Sequence, residues 1–198
     1  MFVTFEGVDG SGKSTQAKLL ADWLEEAGHR VLLTREPGGT PVGEAVRGLL
    51  LHGDSMEPWT EAALFAAARS EHVARAIGPA LAAGRHVVCD RYLDSSVAYQ
   101  GIGRGLGAAP VRELSLTVTG GLLPHRTFLL LVDPDVALGR GQDGPDRIEQ
   151  EAAGFRQRVD AGYRALAAAE PARFVALDGS LPPAEIQETI REHVRALL

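Results

Sequence analysis

Near the amino end, Gly7-Val8-Asp9-Gly10-Ser11-Gly12-Lys13-Ser14 matches the pattern G-x-x-x-x-G-K-[ST], and no other segment restricts the fold as much. The residues before it, Phe2-Val3-Thr4-Phe5-Glu6, are β-rich, and Lys13 opens a helical pattern that ends at Gly28. A strand, a glycine-rich turn and a helix start in that order belong to a parallel α/β fold, where such turns sit at the carboxyl ends of strands. The glycines let successive N–H groups turn inward around phosphate oxygens, and the helix start adds a favourable dipole. Lys13 can reach terminal phosphates, and the Ser14 hydroxyl can bind Mg²⁺.

The rest of the chain alternates in the same way. Strands are predicted near 2–6, 30–34, 85–90, 127–133 and 173–177, with helices over 13–27, 42–51 and 58–83, the last interrupted near Pro79 and closed by Gly84. Ile148, Ala152, Phe155, Val159 and Leu166 recur at helical spacing, and Pro182-Pro183 opens a final helix capped by Ser180. The pattern predicts one α/β domain over 1–198, a three-layer phosphate-loop fold with a five-stranded parallel sheet flanked by helices. Two glycine-rich stretches, 100–110 and 139–147, are expected to be mobile loops over a site. Ala62-Ala63-Leu64-Phe65-Ala66-Ala67-Ala68 is apolar on every helical face, which suggests close packing in the core or across a dimer interface.

Composition narrows the function. Lys plus Arg (20) against Asp plus Glu (26) leaves a net charge of -6, which disfavours binding to a nucleic-acid polymer. Cys89 is alone and cannot form an internal disulfide, and the start of the chain lacks a basic segment leading into an apolar stretch. A cytoplasmic location is therefore expected. The longest aliphatic-aromatic run, Phe128-Leu129-Leu130-Leu131-Val132, is too short to cross a bilayer. The chain has no asparagine, so it lacks the Asn-Lys-x-Asp segment with which common GTPases read guanine.

A kinase for a small acceptor needs a second phosphate pocket facing the first. Strand 85–90 ends in Asp90-Arg91-Tyr92, which puts a carboxylate and a guanidinium at the carboxyl edge of the sheet. Asp90 could hold the Mg²⁺ water shell, and Arg91 could neutralise an acceptor phosphate or the transferring group. Thr34-Arg35-Glu36-Pro37-Gly38-Gly39-Thr40 follows the second strand similarly, and Arg47 and Arg69 lie in apolar helical stretches. An arginine there needs an anion, supplied by a ligand or by a structural ion pair.

These segments together resemble the bacterial thymidylate kinases over essentially the whole chain. The resemblance rests on Gly7–Thr15, Arg35–Thr40, Phe65-Ala66-Ala67-Ala68-Arg69, Asp90–Gly101 and Asp146-Arg147-Ile148-Glu149-Gln150-Glu151. It implies transfer of a phosphoryl group from ATP to dTMP, with Mg²⁺. The implied ATP-binding residues are Gly7, Val8, Asp9, Gly10, Ser11, Gly12, Lys13, Ser14 and Thr15, with Ser14 and Asp90 toward the metal. On the acceptor side Phe65 would stack on thymine, Arg69 would donate to a base carbonyl, and Ser96 and Gln100 would complete base recognition. Tyr99 would lie against the deoxyribose. Arg47, Arg91 and Glu36 would surround the dTMP phosphate, Glu36 by positioning or through Mg²⁺. Asp9 would tune Mg²⁺ or a sugar hydroxyl.

Lys13, Arg91, Asp9 and a lid arginine are the catalytic candidates. Members of the family place that arginine either in the phosphate loop or in a lid. Positions 8 to 11 hold none, so the role is expected of Arg140 in a short lid at about 139–149, with Arg147 as the alternative. A homodimer is expected. The rival readings are a kinase for another nucleoside monophosphate and a non-catalytic ATP-binding regulatory module.

Overall fold

A computed structural model describes residues 1–133, 136–137, 147–148 and 151–198, and everything below concerns these. Five strands alternate with helices: β1 (Phe2–Glu6), β2 (Val31–Arg35), β3 (His86–Asp90), β4 (Arg126–Leu131) and β5 (Phe174–Asp178). They form one parallel sheet in the order β2-β3-β1-β4-β5. Each strand lies within two residues of its predicted bounds. The helices are α1 (Lys13–Glu26), α2 (Pro41–His52), α3 (Pro58–His72), α4 (Gly78–Ala82), α5 (Leu93–Ser96), α6 (Ala108–Val118), α7 (Ala153–Ala169) and α8 (Pro183–Arg195).

The strand period of two explains the three-layer arrangement. Val3, Phe5, Val88, Phe128 and Leu130 face α1 and α8, meeting Leu20, Leu24, Ile186, Ile190 and Val194. On the other face Phe2, Val87 and Cys89 meet Ile77, Tyr92 and Leu93, while Leu129 and Val132 meet Phe155, Val159 and Tyr163. Since β1 is central, with β3 and β4 on either side, the crevice at the carboxyl ends of β1 and β3 is the topological switch point, where ligands of such sheets bind.

The helical stretch 58–83 is interrupted near Pro79, as expected, by a π-helix over Val73–Ile77 in which Gly78 N–H bonds five residues back to Val73 O. That shift accommodates a residue with no N–H and a bulky ring. Ser180 does not cap α8; its N–H and hydroxyl bind Asp178 Oδ1 at 2.9 and 2.6 Å, and Pro182 stands at the cap position. The loop expected over 100–110 is largely helix, a π-helix over Val97–Gly103 with α6 starting at Ala108.

There Gly101 and Gly103 serve packing, while Gly105 and Gly107 take positive φ in the turn before α6. A Cβ on Gly103 would lie 2.7 Å from Phe155 Cε2 and 3.0 Å from Val159 Cγ2, so the missing side chain is what lets α7 approach. The lid expected over 139–149 lies outside the described residues except for Arg147 and Ile148. Gly103→Val is expected to cost about 2 kcal/mol through overpacking. That is a fall in Tm of roughly 4–8 °C for a chain of this size, read by thermal unfolding. An unchanged Tm would return the segment to a free loop.

Candidate functional site

The turn after β1 and the start of α1 line a cleft of about 710 Å³. Asp9 to Gln16 form one wall, Arg35, Glu36, Arg47, Asp90 and Arg91 another, and Gly179 to Pro183 with Ile186 close the far side. Gly10 has φ +76°, and a Cβ on it would fall 2.0 Å from the Ala137 carbonyl oxygen, so only glycine fits between the turn and the segment after β4. Lys13 is buried, with Nζ donating to Val8 O at 2.8 Å and lying 3.8 Å from Asp9 Oδ1. Burial and the nearby Arg91 charge lower its pKa, while Asp9, Asp90 and Glu6 act the other way. Lys13 thus curls over the turn on a carbonyl that a phosphate oxygen can replace.

Arg91 is the only non-glycine residue with positive φ among those described, at 67°. Such a conformation costs roughly 1–3 kcal/mol and persists only where surroundings over-determine it. They do so here. Its N–H donates to Phe5 O at 2.9 Å and its carbonyl accepts from Cys89 Sγ at 3.1 Å. Its Nη1 reaches Gly7 O and Ser95 Oγ at 3.0 Å each and Tyr163 Oη at 3.2 Å, and its Nη2 is ion-paired with Asp9. Partial burial would raise the Asp9 carboxyl, but Arg91, Lys13 and the Tyr99 hydroxyl outweigh it and hold Asp9 well below the usual range.

A divalent cation fits beside Ser14 and Asp90. The Ser14 hydroxyl touches Asp90 Oδ2, and Asp90 Oδ1 is buried with no hydrogen-bond partner among the described residues. One carboxylate and one hydroxyl do not make a metal cage, and no cluster of three or more His, Cys, Asp or Glu is placed to hold a metal among the described residues. That donor set suits Mg²⁺, which binds through one or two protein oxygens, substrate phosphates and water.

A smaller pocket of about 90 Å³ adjoins the cleft, lined by Asp9, Glu36, Pro37, Arg47, Leu51, Phe65, Arg91, Ser95, Tyr99, Gln100 and Ile148. Asp9, Glu36, Arg47 and Arg91 line both cavities. Of the residues expected on the acceptor side, Phe65, Tyr99, Gln100, Arg47, Arg91 and Glu36 come together here. Tyr99 Oη donates to Asp9 Oδ2 at 3.1 Å, and the Arg91 guanidinium lies over the Tyr99 ring at 5.2 Å.

Arg69 and Ser96 lie one layer deeper, off the pocket wall. Arg69 is 1% exposed and donates to Glu36 Oε2 at 2.8 Å, to Ser115 Oγ and Ser96 Oγ at 3.0 Å each, and to Tyr92 O at 3.3 Å. The reason is Glu36, itself buried, whose other oxygen meets His72 Nδ1 at 3.0 Å; a carboxylate at that depth requires a cation. Arg147 is held by Leu50 O at 2.9 Å and by Glu61 Oε2 at 2.7 Å. Arg140 is outside the described residues.

Sequence reasoning missed Pro37, Leu51 and Ser95 in the pocket, Leu181 and Pro183 in the cleft, and the layer of Glu6, Tyr163 and His72 behind them. No spacing signals that layer; only the alternation of β1, which turns Glu6 away from Phe5, could have pointed to it. Glu6 accepts from Tyr92 N–H at 2.8 Å, Ser95 Oγ at 2.6 Å and Tyr163 Oη at 3.0 Å. Burial and the Asp94 charge outweigh these donors and push its carboxyl up from 4.5 to about 7. The folded state then holds this proton more tightly than the unfolded chain. The resulting stability is full below about pH 4.5 and is lost as pH rises through about 7. The Tm of Glu6→Gln relative to the parent is expected to rise across that window. A difference independent of pH would show that Glu6 titrates normally.

A sequence profile of the family described as thymidylate kinase matches residues 5–190. Two curated relatives named thymidylate kinase come from Synechococcus sp. (strain JA-2-3B'a(2-13)) and Thermomicrobium roseum. The first is 52% identical over 186 residues, covering 94% of this chain and 90% of the relative. The second is 49% identical over 192 residues, covering 96% and 91%. The crystal structure of thymidylate kinase from Ehrlichia chaffeensis superposes with a TM-score of 0.81 at 35% identity, covering 98% of each chain. A profile spanning nearly the whole chain and relatives of this identity place the chain in the thymidylate kinase family.

Proposed function

We infer that the reaction of this family, transfer of a phosphoryl group from ATP to dTMP to give dTDP and ADP, takes place where the two cavities meet. The observation that carries this placement is the shared lining of Asp9, Glu36, Arg47 and Arg91 between a phosphate-loop cleft and a pocket closed by Phe65, Tyr99 and Gln100. The larger cleft takes ATP, its triphosphate on Gly7 to Thr15 and its base toward Gly179 to Pro183. The smaller pocket takes dTMP, with thymine on Phe65, the sugar by Tyr99 and Asp9, and the phosphate by Arg47 and Arg91.

The attacking oxygen belongs to a phosphate monoester with a second pKa near 6, by analogy with phosphoserine, so it is deprotonated at neutral pH and needs no general base. The work left to the protein is alignment and charge. Lys13 exchanges Val8 O for a phosphate oxygen, and Arg91, fixed at its unusual φ, holds its guanidinium between the two phosphates. Both Glu36 oxygens are engaged with Arg69 and His72, which favours positioning over metal binding for that residue. Arg69, with one guanidinium proton left over, and Ser96 underlie the base edge. Ser14 and Asp90 would hold Mg²⁺, which would supply positive charge to the phosphate oxygens. The lid arginine is assigned to Arg140, since Arg147 is engaged by Glu61.

A homodimer through α2 and α3 fits the exposed apolar side chains Val42, Leu49 and Trp59, the last in line with exposed Ala63 and Ala67 on α3. No helix among the described residues is long and apolar enough to cross a membrane, and a cytoplasmic location is proposed with the rest.

The test is ADP release with ATP and Mg²⁺ in the presence of dTMP, dUMP, dCMP, dGMP, dAMP or no acceptor. The highest kcat/KM is expected with dTMP, and Lys13→Ala is expected to lower kcat about 100-fold or more. Release independent of acceptor would favour the regulatory module, and a preference for another nucleotide would favour the other rival. Sedimentation is expected to give twice 21.0 kDa for the parent and a lower mass for Trp59→Glu, whereas a parent of one chain excludes the dimer.

A further inference from the structure

Glu61 belongs to none of the segments that carry the resemblance, yet it is 1% exposed and takes four hydrogen bonds behind the acceptor pocket. Arg104 donates to it through Nε at 3.1 Å and Nη2 at 3.0 Å, and Arg147 through Nη2 at 2.7 Å. The Gln100 amide nitrogen donates to Oε1 at 2.9 Å. Burial alone would raise the Glu61 carboxyl, but the bonds from Arg104, Gln100 and Arg147 outweigh it and keep its pKa below the ordinary value. A buried carboxylate between two guanidinium groups accepts hydrogen bonds and donates none. Gln100 lines the pocket and is itself 1% exposed, so its amide stays against Glu61 and only a flip of its two ends could change which one faces the carboxylate.

We propose that Glu61 is a specificity-determining positioning residue: by taking the Gln100 amide nitrogen, it leaves the Gln100 amide oxygen as the group that faces the base. An acceptor at that point selects an acceptor nucleotide whose ring carries an N–H donor on its pairing edge, as thymine and uracil do at N3. Cytosine has a bare acceptor nitrogen in the same place, and two acceptors facing each other in a closed pocket leave both unpaired. If Gln100 were free to turn, its amide would serve either base. Glu61 therefore acts through Gln100, and the inference rests on the proposed contact between Gln100 and the base.

The experiment compares kcat/KM for dTMP and dCMP in the parent, Glu61→Gln and Gln100→Met. A neutral amide at position 61 can donate as well as accept, so Gln100 can turn. The dTMP-to-dCMP ratio in Glu61→Gln is expected to narrow about tenfold or more, mostly through a lower KM for dCMP, the worth of about one mispaired hydrogen bond. If loss of the charge prevents folding, the double variant Glu61→Gln/Arg104→Met removes a cation left unbalanced and carries the same expectation. Arg104→Met alone keeps the Glu61 charge and is expected to retain the parent ratio. A parent ratio in the folded Glu61 variant, with kcat/KM falling equally for both nucleotides, overturns the inference and leaves Glu61 a structural anchor. A parent ratio in Gln100→Met shows instead that Gln100 does not read the base, which is the failure of the underlying site reading.

Discussion

The site depends on the parallel pairing of β1 with β3, which sets Phe5 beside Asp90 and brings the chain leaving each strand to one edge. The ladder extends one step past β3, because Arg91 N–H donates to Phe5 O. That bond, with the Cys89 thiol on the Arg91 carbonyl, holds Arg91 at positive φ and throws its side chain back across the phosphate loop to Gly7 and Asp9. A single residue thereby joins the phosphate-loop turn to the smaller pocket. On the proposed placement of the two nucleotides, the spacing of their phosphates follows from backbone pairing in the centre of the sheet.

Around this joint the buried charges are arranged in pairs of opposite sign. Glu36 meets Arg69 and His72, Glu61 meets Arg104 and Arg147, and Asp94 meets Arg173. Removing one member of such a pair strands the other charge in the interior at a cost of roughly 3–5 kcal/mol. Each pair therefore holds its two side chains to one another. Glu36 lines the smaller pocket and Glu61 stands behind Gln100, so ion pairs hold the floor of that pocket. Glu6 is the exception: burial and the nearby Asp94 charge raise its carboxyl to about 7.

Glycine has opposite uses along the chain. In the phosphate loop, Gly10 adopts a left-handed φ and lets the Ala137 carbonyl approach. In the π-helix Gly103 has no such φ, and its absent side chain makes room for Phe155. The same residue type thus signals a turn in one segment and tight helix packing in another. Counting glycines misjudged 100–110 as a loop, because the partner that needs the space lies on α7, more than fifty residues away.

The sequence by itself determined the strand and helix alternation and the phosphate loop, because both rest on contiguous residues: period-two and helical patterns, and backbone N–H groups gathered by one turn. Lys13, Ser14, Asp90 and Arg91 were legible for the same reason, each standing at a strand's carboxyl end or a helix start. Phe65, Tyr99 and Gln100 were legible only through the resemblance, since no local pattern marks them as pocket residues. The tertiary structure decided which arginines reach the pocket. Arg69 is drawn to Glu36 and Arg147 to Glu61, and no local pattern shows that a buried carboxylate from another element waits for each. It also decided the roles of Glu6, which meets Tyr92, Ser95 and Tyr163, of Glu61, which meets Gln100 of the π-helix, and of Gly103, which packs on α7, all partners far along the chain.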